Sequence, residues 1–262
     1  MQLRLLTLVA LQAASNAFSF SAVRIIRRRS DGMKTFLSAK REATFGMGCF
    51  WEPSESMLKK KGVVATSAGY CGASPTAKTP PDYGSVCYGR EWVEAVRVVY
   101  DDAQISYNEL LECFFELHKS NPNSRQYDSI VFADSDQMND AESWLTSGKE
   151  ARYKRKADNY PISLVKVEPI SPFYKAEDYH QRYWQKWRVR FATIALLLAG
   201  GSGFYDSFFP VQFLENAISI RGLCNALVSA GCVGVLLERL IARNVMELKP
   251  GDLILSLEQN VK

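Results

Sequence analysis

A chain of 262 residues with 47% hydrophobic and 23% charged content has the composition of a folded globular protein, long enough for one sizeable domain with extensions or two small ones. Residues 1–41 carry eight Lys/Arg against Asp31 alone, a charge of +7, so the whole-chain +4 leaves −3 for the rest, and this mildly acidic body lacks the basic footprint of a nucleic-acid binder. Six cysteines (Cys49, Cys71, Cys87, Cys113, Cys224, Cys232), no C-x-x-C and two histidines exclude a zinc pattern and a dense disulfide framework, which leaves catalysis as the use for a reactive thiol.

Met1 to Ala14 has one charge at Arg4 and then the apolar run Leu5–Ala14, the shape of a signal-peptide h-region. Small residues at Ser15–Ala17 offer a cleavage site before Phe18, and Ser19–Arg41 is basic and nearly free of acids. Residues 1–41 therefore read as a targeting leader. It resembles the two-part plastid presequences of algae with complex plastids, with a mitochondrial presequence or a secretory signal as the alternatives.

The next stretch organises the chain. Glu42–Phe45 suits a short buried strand, Gly46 and Gly48 permit a tight turn, and Pro53 fits the first turn of a helix running towards Lys61. Cys49 falls at that helix's start, where unpaired N–H groups and the helix dipole favour a thiolate, so its pKa is expected below the free value. Phe50 and Trp51 follow as candidate walls of an apolar pocket beside the sulfur.

Gly62–Tyr70 reads as a second strand ending in a glycine turn that carries Cys71, and Thr79–Tyr83 as a proline-stiffened loop. Glu94–Tyr100 is a third strand, opening with a carboxylate that can project from the sheet end into a cleft. Ser106–Glu109 is a capping box for a core helix with Tyr107, Leu110, Leu111 and Phe114 on one face. Gln126–Phe132 reads as a strand, Asp134 or Ser135 caps a longer helix, Ile162–Val167 is another strand, and Ala176–Trp187 is a last amphipathic helix. This order predicts an α+β two-layer sandwich with a mixed sheet, ferredoxin-like, over residues 42–190. Residues 191–262 form a hydrophobic helical extension: Phe191–Tyr205 holds no charge and Ala217–Leu237 only Arg221. A soluble helical extension is favoured there over membrane spans, with membrane association and an oligomer contact as alternatives.

Gly48-Cys49-Phe50-Trp51, Glu94 entering a strand, Gln126-Tyr127 before Ser129-Ile130, and Ala176-Glu177-Asp178-Tyr179-His180-Gln181 together resemble the A-type peptide-methionine sulfoxide reductases over roughly Glu42–Lys186. The resemblance implies an oxidoreductase that reduces methionine-S-sulfoxide, free or in proteins, and so repairs oxidative damage. It implies that Cys49 attacks the sulfoxide sulfur, that Phe50 and Trp51 seat the methyl group, and that Glu94 donates the proton. Tyr83 and Tyr127 would bond the sulfoxide oxygen. A sulfenic acid on Cys49 would then be cleared by a second thiol, Cys71 before Cys87, or by an external reductant such as thioredoxin, glutaredoxin or glutathione; no metal or other cofactor is implied. His180 is expected to be structural.

Three departures from the family pattern stand out. Arg90-Glu91-Trp92-Val93 replaces a Gly-His pair ahead of the acid, the loop Ser120–Ser124 is short and offers no aspartate, and the glycine-rich tail with recycling cysteines is missing. The altered approach to Glu94 motivates a competing reading from another class, a catalytically impaired protein that binds sulfoxides or thioethers or senses redox state.

Overall fold

The computed structural model describes residues 39–119, 124–147, 165–204 and 217–259. Residues 1–38 of the expected leader therefore lie outside the described residues, as do most of the Ser120–Ser124 loop and the start of the Ile162–Val167 strand, while Lys40 and Arg41, expected as the leader's end, already belong to the first strand.

A β-α-β-β-α-β unit forms the centre: β1 (Lys40–Met47), α1 (Trp51–Leu58), β2 (Val63–Cys71), β3 (Val93–Asp101), α3 (Tyr107–Leu117) and β4 (Ser129–Ala133), with the short helix α2 (Tyr83–Cys87) between β2 and β3. Then come α4 (Ser135–Thr146), β5 (Lys166–Pro169), β6 (Phe173–Lys175), α5 (Tyr183–Ser202), α6 (Ala217–Ile241), β7 (Met246–Leu248) and α7 (Asp252–Gln259). The seven strands lie in the order β5-β4-β1-β3-β2-β6-β7. The inner four, β4-β1-β3-β2, are antiparallel throughout, the ferredoxin-like arrangement, while β5 joins β4 in parallel and makes the sheet mixed.

Both faces of the sheet are covered, and for that reason β3 is buried from Val93 to Tyr100 instead of alternating. On one face Val96 and Val98 meet the helices, with Phe45 of β1 stacked on Phe114 of α3 at 5.6 Å between ring centroids. The capping box that starts α3 is formed as expected, Ser106 N–H donating to Glu109 Oε2 at 2.8 Å and Glu109 N–H to Ser106 Oγ at 3.3 Å, a cap of about 1 kcal/mol. On the other face Cys71, Val93, Ala95, Ile130, Phe132, Phe173 and Leu248 form a second cluster. Arg97 is buried there, its guanidinium 4.4 Å from the Phe173 ring and donating to the Leu248 carbonyl at 2.8 Å. Burying a guanidinium requires such partners, so the C-terminal strand β7 is tied to the centre of the sheet by a charge-assisted bond.

Three sequence expectations are corrected. Gln126 and Tyr127 lie in a 3-10 turn (Arg125–Tyr127), and the strand begins at Ser129. Asp82 caps α2, which the proline-rich stretch concealed: Ser85 N–H donates to Asp82 Oδ1 at 2.7 Å. Ala176–Trp187 is not one helix. A 3-10 turn (Asp178–His180) gives way to Arg182 at φ +51°, and α5 starts at Tyr183. The break follows from side chains that turn inward. Gln181 exchanges bonds with the Ala68 backbone (Ala68 N–H to Oε1 at 3.0 Å, Nε2 to the Ala68 carbonyl at 2.9 Å), and Tyr70 donates to Glu177 at 2.9 Å, which holds the segment against β2.

Candidate active site

The site sits where β1 ends and α1 begins. Gly48 has φ +78°, and a Cβ there would lie 2.2 Å from the Lys119 carbonyl oxygen, so the turn needs glycine for conformation and for space. The turn places Cys49 at the open end of the sheet, exposed. Phe50, the residue preceding α1, is fully buried.

Glu94 reaches the same point from β3. The Tyr70–Glu94 pair puts its side chain on the helical face of the sheet, and the carboxylate is 6% exposed. Phe50 N–H donates to Oε2 at 3.1 Å, and Gln126 Nε2 donates to Oε1 at 2.6 Å. Burial raises the Glu94 pKa to about 7, although those two bonds favour the charged form. Near neutral pH this carboxyl is therefore poised to give or take a proton. The departure ahead of the acid does not displace it, because Trp92 turns away into the core and its indole N–H binds the Lys78 carbonyl at 3.1 Å.

The expected low thiol pKa is corrected. Desolvation by the surrounding walls, then the Glu94 charge, push the Cys49 thiol up to about 11 against the help of the Trp51 backbone N–H and of Lys119. The helix start acts as expected but is outweighed. Protonating Glu94 removes the charge that opposes a thiolate, so the ionisation of Cys49 depends on the protonation of Glu94.

Trp51 stacks on Tyr183 with ring centroids 3.8 Å apart and planes 2° from parallel, and its indole N–H donates to His180 Nδ1 at 2.9 Å. That bond makes Nδ1 the acceptor, and burial together with the charges of Arg239 and Lys186 lowers the His180 pKa to about 3. His180 is thus a neutral orienting group, bonded to an indole. Phe50 lies 5.2 Å from the His180 ring and offers little surface to a ligand, leaving the half-buried Trp51 as the accessible aromatic.

Tyr127 stands half-buried beside the pair, its pKa pushed up to about 12 by burial and by the charges of Glu94, Cys49 and Cys87. Tyr83 opens α2, and its side chain lies outside the described residues. The two candidate resolving thiols part company. Cys87, at the end of α2, accepts a bond from Gln126 Nε2 at 3.3 Å and so shares that amide with Glu94. Cys71 pairs with Val93, one residue along from Tyr70–Glu94, so strand alternation turns it to the opposite face. It is buried there, its sulfur 3.2 Å from Ser171 Oγ. The structure does not bring Cys71 to Cys49: the expected mobile glycine turn is the last residue of a central strand.

Sequence reasoning missed Gln126 as the amide holding Glu94, although its motif was in view. It also missed the contribution of the C-terminal extension, since Arg239, Leu240 and Arg243 of α6 and its end join Trp51, Glu177 and His180 around a cavity of about 540 Å³. No short-range signal links residues so distant in sequence. Among the described residues no three His, Cys, Asp or Glu side chains gather as a metal site.

A sequence profile described as peptide methionine sulfoxide reductase matches residues 41–199. A peptide methionine sulfoxide reductase MsrA of Methanosarcina mazei is 35% identical over 179 residues, covering 65% of this chain and 78% of that protein. The MsrA of Rhodospirillum centenum is 39% identical over 153 residues, covering 55% and 67%. Among solved structures, reduced Mxr1 of Saccharomyces cerevisiae aligns with 30% identity over 56% of this chain and 85% of that one, with a TM-score of 0.46.

Proposed function

The chain belongs to the peptide methionine sulfoxide reductase family, and from that premise we propose that it reduces methionine-S-sulfoxide, free or in proteins, through Cys49. The observation that carries this reading is the accessible Cys49 thiol beside a buried carboxyl, Glu94, pinned by Phe50 N–H and Gln126 with a pKa near neutrality.

The residues divide the work as follows. Cys49 Sγ, as thiolate, attacks the sulfoxide sulfur while protonated Glu94 gives its proton to the sulfoxide oxygen. The Tyr127 hydroxyl, kept protonated by its raised pKa, donates to the same oxygen, with Tyr83 as its partner. Trp51 supplies the apolar surface for the S-methyl group. Oxygen passes to the cysteine: the sulfoxide becomes a thioether, and Cys49 becomes a sulfenic acid, oxidised by two electrons. A second thiol condenses with that sulfenic acid, releasing water and forming a disulfide, and two further thiols, or one dithiol, reduce it and are themselves oxidised to a disulfide. Cys87 is the internal candidate that shares the site's hydrogen bonds, and a thioredoxin, glutaredoxin or glutathione supplies the electrons. The competing reading, an impaired binding protein, rested on a disturbed setting for Glu94, and the two bonds to its carboxylate remove that motive.

The decisive test is reduction of a chiral methyl sulfoxide with dithiothreitol, which needs no physiological reductant. Consumption of the S epimer, abolished by Cys49→Ser, is expected. Equal turnover in that variant would overturn the reading. Delivery to an organelle, the plastid first, is proposed from the basic leader and is tested by fusing residues 1–41 to a fluorescent protein.

A further inference from the structure

The paired helices α5 and α6 are the part of the molecule that sulfoxide chemistry leaves unused. They run antiparallel: Arg190 pairs with Glu238 at one end, and Gly201 and Gly203 lie against Asn225 and Arg221 towards the other. Only a narrow stripe of each helix faces its partner, Arg190, Ile194, Leu197 and Gly201 on α5 and Cys224, Val228, Val235 and Glu238 on α6, and even these are only half-buried.

A helix pair at home in water turns polar residues away from the seam. Here the outward positions are apolar and uncovered: Leu196 is 63% exposed, Leu223 60%, Leu236 59% and Val233 54%. Within Ile220–Ile241 the most apolar 18-residue stretch has a mean hydropathy of 1.7, and none of it is buried. Those 18 residues, Ile220–Leu237, measure about 27 Å as a helix, a little under the ~30 Å hydrocarbon thickness of a bilayer. The exposure runs around the pair, whereas a second copy of the chain would cover one side of it. Hydrocarbon is the surrounding that meets every side at once.

The charges are sorted along the pair. Arg182, Lys186, Arg188 and Arg190 at the start of α5 and Arg239 and Arg243 at the end of α6 share the end nearest the sheet, with Trp184 and Trp187 among them. Arg188 and Arg190 pair with Glu55 and Glu238; none of the ion pairs among the described residues takes up Arg182, Arg239 or Arg243, although Arg239 lies 5.9 Å from the Tyr179 ring and, with Arg243, also borders the cavity beside Trp51 and His180. Beyond this belt α5 carries no charge from Phe191 to Ser202, and α6 from Ile220 to Leu237 carries Arg221 alone. A basic band with tryptophans beside a helix pair whose one further charge is Arg221, near its far end, is the pattern of a membrane–water interface facing anionic head groups.

We propose that the α5–α6 hairpin inserts into a lipid bilayer with anionic head groups, its basic and tryptophan belt at the surface and the catalytic domain held just outside. The inference goes beyond the reductase reading and does not depend on it. Its consequence is spatial, because it confines Cys49 to a zone next to the membrane.

The full-length protein, mixed with vesicles of three parts phosphatidylglycerol to seven of phosphatidylcholine, is expected to float with them and to stay bound through alkaline carbonate. The double variant L223E/V233E, at positions exposed to solvent and away from the site, should lose vesicle binding by roughly tenfold or more, because carboxylates at bilayer depth are costly. Its dithiothreitol-driven turnover should be unchanged. Wild type that stays monodisperse in the unbound fraction without detergent, or that forms a detergent-free dimer and does not float, overturns the proposal. Should L223E/V233E fail to fold, hydrogen exchange of the wild type decides: amides of residues 223–237 gain protection on adding vesicles, and an unchanged exchange rate refutes insertion.

Discussion

Replacing Glu94 by Gln should make the protein more stable at alkaline pH while removing most of its activity, and the size of the gain follows from the carboxyl's burial. The Glu94 pKa rises from 4.5 to about 7 on folding. Between those values the folded state binds a proton that the unfolded chain has released, so stability falls as pH rises through this window and the loss is complete above pH 7. A shift of that size is worth about 3 kcal/mol. Glutamine carries no such penalty, but its NH2 group meets the Gln126 amide, which now donates to Glu94 Oε1 at 2.6 Å and must flip, at a cost of about 1 kcal/mol. The carbonyl oxygen of the substituted side chain can still accept the Phe50 N–H. The net expectation is a gain of roughly 2 kcal/mol at pH 8, seen as an increase of about 1 M in the urea midpoint. The gain should shrink steadily on acidification, cross zero at about pH 5, where the relieved penalty has fallen to the cost of the flipped amide, and turn into a loss of under about 1 kcal/mol at pH 4.5. Parallel urea titrations of the two proteins from pH 4.5 to 8 test this, since groups other than Glu94 cancel in the difference. A difference that is independent of pH, or one that grows towards acid, would show that Glu94 folds in its charged form and would remove the proton donor from the mechanism.

The remaining expectations concern the site and the turn that builds it. The reactive pair, thiolate Cys49 with protonated Glu94, has the same proton count as thiol with carboxylate, so kcat/KM should climb to a plateau with an apparent pKa near 7 and hold it until the Cys49 value of about 11. In Glu94→Gln the limb near 7 should be absent from the pH profile. Trp51→Phe keeps an aromatic surface but loses the bond to His180 Nδ1, so KM for methyl sulfoxides should rise several-fold with a smaller change in kcat, measured by steady-state kinetics. Gly48→Ala forces a Cβ against the Lys119 carbonyl oxygen at φ +78° and should cost about 1–3 kcal/mol of stability, read from thermal melts, together with activity. One equivalent of methyl sulfoxide followed by peptide mapping should find a Cys49–Cys87 link and leave Cys71 as a free thiol; a Cys49–Cys71 link would contradict the sheet geometry.

The sequence by itself determined the elements whose causes are local. The glycines before Cys49, the Ser106–Glu109 capping box and the apolar face of α3 depend on backbone freedom, capping and helical period, all of which act over a few residues, and the elements they define stand where expected. The same local logic read Ala176–Trp187 as one helix and missed that Tyr70, Ala68 and Trp51 draw Glu177, Gln181 and His180 inward, because the partners of buried polar groups lie far away along the chain. Only the tertiary structure decided the protonation chemistry. A helix start favours a thiolate at Cys49 in any sequence, yet burial and the Glu94 charge, supplied by another strand, reverse the outcome. It also decided the fate of the cysteines, since a register fixed by the Tyr70–Glu94 pair sends Cys71 to the far face and α2 carries Cys87 to the amide that holds the acid. And it decided that the apolar C-terminal helices pack through one narrow stripe each, which hydropathy along the chain does not reveal, because hydropathy states how apolar a residue is and only packing states what covers it.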